Sequence, residues 1–208
     1  MAELRVARTE FILGGQRSGK SRRAEALAQR WLAQSPAHRA LLIATAQSWD
    51  DEMRTRIAHH QRDRAARVPS MRTVEEPLAL GTALGQHSDP KTIVVVDCLT
   101  LWLTNLLMPH ETDEKQAGNV GGSFEFQSNV ASGLDLFSQV AMFLIAIEEA
   151  AGPVVLVGNE IGLGVIPLGR ETRAFVDSLG RLNQDVAAVC ERVTFMAAGL
   201  PLTLKGTA

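Results

Sequence analysis

A doubly wound α/β fold, with a mostly parallel sheet and helices on both faces, is what this 208-residue sequence predicts, and three observations predict it. Short runs of consecutive apolar residues recur along the chain, helical stretches separate them, and the first run leads through a glycine-rich turn straight into a helix. Continuous apolar runs, as opposed to alternating ones, mark strands buried on both faces, as in a parallel sheet. Regular alternation of strand and helix is the pattern that such a sheet requires.

The strands come first. "FIL" at 11–13, "ALLIAT" at 40–45, "TIVVVD" at 92–97, "PVVLVG" at 153–158 and "RVTFMA" at 192–197 are all short, apolar and rich in β-branched residues. Helices are expected at 19–33, 50–64, 77–86, 134–151 and 170–190, with a further one opening at "CLTLWLTNLL" after residue 97. The tail "AAGLPLTLK" carries Gly199 and Pro201 directly after the last apolar run, so it is read as turning back into an antiparallel edge strand. Residues 109–133 break the rhythm. They are rich in Gly, Ser, Asn and charge, and so long a structureless connection is uncommon inside a compact domain. They are read as a flexible insertion and not a lid, because few of them could dock.

Composition narrows the function classes. The chain is 46% hydrophobic and 21% charged, as a globular protein with a full core should be. Its length suits one domain spanning 1–208. A net charge of −2 gives no basic excess for nucleic acid. No apolar run approaches the roughly 18–20 residues of a membrane span, and the N-terminus lacks a signal peptide's apolar stretch. Cys98 and Cys190 match no zinc spacing and read as buried thiols in a reducing compartment. A cytoplasmic location is the expectation.

The chemistry begins at "GGQRSGKS", residues 14–21. It fits G-x-x-x-x-G-K-[ST], with Gly14, Gly19, Lys20 and Ser21 at the fixed positions and Gly15, Gln16, Arg17 and Ser18 between them. Glycines let a loop wrap a phosphate without a Cβ in the way. Loop N–H groups and the helix N-terminus supply positive potential. Lys20 would reach the β- and γ-phosphates, and the Ser21 hydroxyl would ligate Mg2+. At ordinary glycine frequency a chance match in a chain this long is on the order of 1%, and the strand–turn–helix context is the right one, so the fold is expected to be P-loop NTPase-like. Asp97, ending "TIVVVD", has two readings: a Walker B carboxylate for the metal, or the N-cap of the following helix.

Two adjacent histidines lie in "DDEMRTRIAHHQRD", residues 50–63. On a helix, Met53, Ile57 and His60 would share one stripe, with His59 rotated about 100° away. Either the pair is ordinary amphipathic surface with His60 at the core edge, or it carries chemistry, since neutral imidazole is a competent nucleophile toward phosphorus.

Several separated stretches together resemble a family. "GGQRSGKS", "IATAQSWDDEMRTRIAHHQRDR" at 43–64, "VVVDCLTLWLTNLL" at 94–107, "VLVGNEIGLGVIP" at 155–167 and "GRLNQDVA" at 180–187 are similar, in order, to the bifunctional adenosylcobinamide kinase / adenosylcobinamide-phosphate guanylyltransferases of cobalamin biosynthesis. The resemblance implies two reactions. A nucleoside triphosphate, ATP or GTP, phosphorylates adenosylcobinamide, and GTP then donates GMP to that phosphate through a GMP–histidine intermediate. Residue matching puts the nucleophile on His59, beside Lys20 as the other catalytic group. It puts nucleotide contacts on the P-loop, on Ala44, Thr45 and Ala46, on His60, Gln61, Arg62 and Asp63, and on Glu75 and Asp97, with Ser21 and Asp97 on Mg2+. Ala46 stands where the family often has serine. The resemblance also implies a homo-oligomer, a trimer. Asn159 and Glu160 are read either as loop caps or as groups on the ligand edge of the sheet. Arg181 and Asn183 are read as helix surface or as contacts to a neighbouring subunit. The rivals are a P-loop kinase without nucleotidyl transfer and a nucleotide-binding regulatory protein.

Overall fold

The computed structural model describes residues 4–47, 51–108 and 130–207. Seven strands form one sheet in the order β3-β2-β4-β5-β1-β6-β7. They are β1 (Thr9–Gly14), β2 (Arg39–Ala44), β3 (Arg72–Glu75), β4 (Thr92–Asp97), β5 (Val154–Val157), β6 (Arg192–Ala197) and β7 (Leu200–Lys205). All pairings are parallel except β6 with β7, so the tail does turn back as an antiparallel edge strand. Gly199, at φ 80°, makes that turn with Ala198.

The continuous apolar runs alternate after all, but between two buried layers. Phe11, Leu41, Ile43, Val94, Val96, Val154 and Leu156 enter one core. Ile12, Leu42, Ile93, Val95, Val155 and Val157 enter the other. The second layer is covered by α1 (Lys20–Leu32), through Ala24, Leu27 and Ala28. The first is covered by α3 (Leu80–His87), α4 (Leu99–Leu107), α5 (Val130–Glu149) and α6 (Arg170–Val189). Trp102 of α4 and Phe143 of α5 are fully buried there with ring centroids 5.1 Å apart, and the Trp102 indole donates to Leu78 O. Burying each such side chain contributes about 1.5–3 kcal/mol.

Five expectations need correction. Strand β3 has no counterpart in the sequence reading, because "RTVE" is short and largely exposed at the sheet edge and so lacks an apolar run. Helix α3 begins at Leu80 and not at 77: Glu76 Oε1 accepts the Leu78 and Ala79 N–H groups, which holds the entry as a turn. Of the 109–133 insertion, 109–129 lie outside the described residues, and the rest belongs to α5. The helix carrying the histidines, α2 (Asp51–Arg67), runs three residues further than expected, to a Val68-Pro69 step that disfavours helix. His60 is exposed and joins no apolar stripe; only Met53 and Ile57 are half-buried on that line.

Candidate active site

The parallel register lines up one row at the carboxyl edge of the sheet: Glu75, Ala44, Asp97, Val157 and Ile12 are partners in turn across β3, β2, β4, β5 and β1. Ligands of open α/β sheets bind beyond this edge. Residues far apart in sequence are thus neighbours because strand pairing puts them there.

Beyond β1 the glycine-rich turn wraps back to α1. Gly14 has φ 150°, and a Cβ on it would lie 2.4 Å from Met196 O and 2.7 Å from Ser18 Oγ, so only glycine fits. Gly19, the N-cap of α1, has φ 103°, the left-handed region that favours glycine. Arg17 also takes positive φ. Gly15, Gln16 and Arg17 are exposed at the mouth, whereas Ser18 is buried and its Oγ has no hydrogen-bond partner. Lys20 Nζ is buried and donates to Gly14 O at 3.0 Å and Gly15 O at 2.6 Å, which holds the ammonium under the turn. An orphaned hydroxyl, a buried ammonium and a helix N-terminus around one concave turn suit a polyphosphate.

Ser21 Oγ lies 3.5 Å from Asp97 Oδ2. The N-cap of α4 is Cys98, not Asp97, so the capping reading of Asp97 falls. Burial pushes the Asp97 carboxyl above the ordinary range, and the positive charges of His60, Arg64 and Lys20 draw it back down. A carboxylate that needs cations, next to a hydroxyl, is a hard-oxygen pair that fits Mg2+. Among the described residues no three His, Cys, Asp or Glu side chains form a metal cage. A magnesium shared with a triphosphate needs only one or two protein carboxylates.

Thr45 is fully buried. Its hydroxyl donates to Cys98 O at 2.8 Å and accepts from Cys98 N–H at 2.9 Å, tying the end of β2 to that of β4. Asn105 Nδ2 donates to Thr45 O and to Pro77 O, fastening the β2 and β3 exits together. Sequence reasoning missed Asn105; a lone polar residue inside "TLWLTNLL" was the available signal. Ala44 and Ala46 are half-buried at the same edge, and Glu75 is exposed.

Helix α2 stands apart from this packing. His59, Gln61 and Arg62 are exposed along with His60. His59 Nε2 lies 3.7 Å from Asp63 Oδ2 one turn on, while His60 and Arg64 are the α2 side chains whose charge acts on Asp97. Arg67 closes the helix against Glu25 of α1 at 2.7 Å and against Asp63 at 3.3 Å. On the other flank, Glu160 N–H donates to Gly14 O at 3.2 Å. Asn183 is buried and donates to Asn159 O, which overturns both readings offered for it; Arg181 is exposed. Glu160 Oε1 accepts from Gly162 N–H, so it is a loop cap and also a neighbour of the P-loop.

Known proteins resemble this chain along nearly its whole length. Residues 10–204 match the family model described as cobinamide kinase / cobinamide phosphate guanyltransferase. The chain is 46% identical over 198 residues to the bifunctional adenosylcobalamin biosynthesis protein CobP of Pseudomonas aeruginosa, covering 95% of this chain and 97% of that protein. It is 34% identical over 195 residues to the bifunctional adenosylcobalamin biosynthesis protein CobU of Escherichia coli, covering 94% and 98%. The Salmonella typhimurium protein of that name is 34% identical over 197 residues, also covering 94% and 98%.

Proposed function

This chain belongs to the cobinamide kinase / cobinamide phosphate guanyltransferase family, and on that premise we propose how one sheet edge serves both transfers. It is a bifunctional transferase of cobalamin biosynthesis. The observation that carries the assignment of roles is the meeting of Lys20, Ser21 and Asp97 at the carboxyl edge of the sheet.

In the first reaction the P-loop from Gly14 to Ser21 binds the triphosphate of ATP or GTP, and Lys20 stabilises charge on the β/γ oxygens. Ser21 and Asp97 hold Mg2+, which when bound neutralises the phosphate oxygens. Adenosylcobinamide accepts the γ-phosphoryl group. In the second reaction a ring nitrogen of His59 attacks the α-phosphorus of GTP. The N–P bond forms as the bond to the bridging oxygen breaks, and pyrophosphate leaves. An oxygen of adenosylcobinamide phosphate then displaces the imidazole, giving adenosylcobinamide-GDP. Asp63 beside one ring nitrogen favours the tautomer with its proton there, leaving the other nitrogen's lone pair for phosphorus. Ala44, Ala46, His60, Gln61, Arg62 and Glu75 complete the nucleotide contacts in this reading, and Thr45, expected among them, instead lies fully buried beneath them with its hydroxyl and carbonyl already bonded.

Incubation with GTP labelled at the α-phosphate tests it. Protein-bound GMP, acid-labile and base-stable as a phosphoramidate is, is the expected result; no covalent label sinks the intermediate. Label that survives in His59→Ala but not in His60→Ala would instead make His60 the nucleophile.

We further propose a cytoplasmic homotrimer. What supports self-association is the segment after Glu160, where Leu163, Val165, Ile166 and Leu168 are all at least 76% exposed. Sedimentation of the purified chain decides, and a monomer at micromolar concentration refutes it. No helix among the described residues is long and apolar enough to cross a membrane.

A further inference from the structure

The kinase reaction needs a group not yet assigned. Its acceptor is an alcohol, and a carboxylate that takes the hydroxyl proton as the O–P bond forms typically contributes about 10²–10⁴-fold. Guanylyl transfer has no such need, because its acceptor is a phosphate already ionised at neutral pH. The base should therefore be a carboxylate close to Lys20 that is engaged neither with the metal nor with α2.

Glu160 meets these conditions. It follows β5, the strand directly beside β1. Its N–H donates to Gly14 O, the same carbonyl that accepts Lys20 Nζ. Two donors on one oxygen put the Glu160 backbone within about 6 Å of the ammonium that marks the β/γ-phosphates. The other carboxylates of this edge are committed or distant. Asp97 faces Ser21, Glu25 and Asp63 are paired with Arg67, and Glu75 lies three strands further out.

The support behind Glu160 is specific. Asn183 of α6, 5% exposed, donates to Asn159 O at 3.1 Å and faces Glu160 Oε2 at 3.4 Å, while its own Oδ1 has no partner. An orphaned buried amide oxygen is costly, and a leucine of similar volume would avoid that cost. What the amide supplies is a fixed position for the 159–160 peptide and its carboxylate.

We propose that Glu160 is the general base of the phosphoryl-transfer reaction and that Asn183 is its positioning residue; the inference rests on the kinase reading above. The substrate hydroxyl gives its proton to the Glu160 carboxylate, and its oxygen bonds to the γ-phosphorus. The bond from that phosphorus to the β–γ bridging oxygen breaks, with the electron pair leaving on the nucleoside diphosphate. Glu160 then returns its proton to water.

The test measures the two reactions separately in the full chain. Wild type must phosphorylate adenosylcobinamide and take covalent label from GTP, or the functional reading itself fails. Given that, Glu160→Gln keeps an acceptor for Gly162 N–H, so the turn persists. It should lower kcat for phosphorylation about 10²–10⁴-fold, leave KM for the triphosphate within a few-fold, and retain GMP labelling, which doubles as proof of folding. Formate should partly restore phosphorylation to Glu160→Ala. Asn183→Leu should lower kinase kcat about tenfold and add nothing further in the Glu160→Gln background, since it acts through that residue. Phosphorylation by Glu160→Gln within threefold of wild type overturns the proposal, and so does an equal loss of both activities.

Discussion

The P-loop and helix α2, which the proposed mechanism brings to one site, are held in opposite ways. The P-loop is fixed from every side. Gly14 is wedged against the Met196 carbonyl, Lys20 is bonded to two carbonyls, and the adjoining strand ends are tied by Thr45 and Asn105. Along α2, between Asp51 and Arg67, no described side chain is fully buried, and its C-terminal turn is fastened to α1 by Arg67. Rigid preorganisation suits charge stabilisation, where donors must already stand where charge develops. A nucleophile that meets GTP and then the cobinamide phosphate is better placed on an element with few buried contacts, at the low-stability end of the fold.

The largest effect should come from the rigid side. Lys20→Ala should lower phosphorylation by about 10³-fold or more and cut GMP labelling as well, because both reactions use the triphosphate grip. Its Tm should stay near wild type. Near-normal turnover in a folded Lys20→Ala protein would break the comparison at its root. Next, His59→Ala should lose labelling by about 10³-fold or more while phosphorylation stays within a few-fold, which separates the two regions directly. As both histidines are exposed, neither alanine variant should shift the melting curve.

Asp97→Asn should be milder. It keeps the shape of the side chain but loses the charge, so the magnesium concentration for half-maximal rate should rise about tenfold in both reactions. An unchanged magnesium requirement would remove Asp97 from the metal. Arg67→Ala should act on the flexible side alone. The pair with Glu25 is partly exposed, so its stability cost should stay within about 1 kcal/mol. Amide exchange along α2 should quicken while that of α1 does not, and equal protection of both helices would dissolve the contrast. Last and smallest, burial pushes the Cys190 thiol up to about 12. A disulfide reagent at pH 8 should leave it unmodified in the native protein and react at once after denaturation. With the folded value raised above the unfolded one near about 8.5, the thiol favours the folded state below about pH 8.5, and that contribution is lost as pH climbs toward the folded value. A melting temperature that rose over this window would contradict the burial.

Much of this site could be read without coordinates, for identifiable reasons. The five central strands announce themselves because burial on both faces forces unbroken apolar runs. The P-loop does so because glycine, lysine and serine are each required at a fixed spacing. Strand β3 could not be read, since an edge strand held by backbone pairing needs no apolar side chains. The exposure of His60 was missed for a related reason. Helical periodicity says which residues share a face but not whether anything packs against that face. Asn105 and Asn183 were illegible or ambiguous as sequence, because a buried amide works through backbone groups far away in the chain. Glu160 and Lys20 are 140 positions apart, and only the pairing of β5 with β1 puts them on the same carbonyl.

Gly14 has a consequence for how such motifs are weighed. A methyl group there would strike the Met196 carbonyl of the neighbouring strand at 2.4 Å. The neighbouring strand therefore demands glycine on its own account. Gly15, where a methyl group would meet nothing within 4 Å, is under no such demand. In information terms, the first glycine of the signature is partly redundant with the sheet. Lys20 is set instead by hydrogen bonds to the Gly14 and Gly15 carbonyls and Ser21 faces Asp97, polar placements that a tight strand exit does not need, so a search that weighted Lys20 and Ser21 above Gly14 would discriminate phosphate binders from mere strand exits more sharply than one that counts every letter equally.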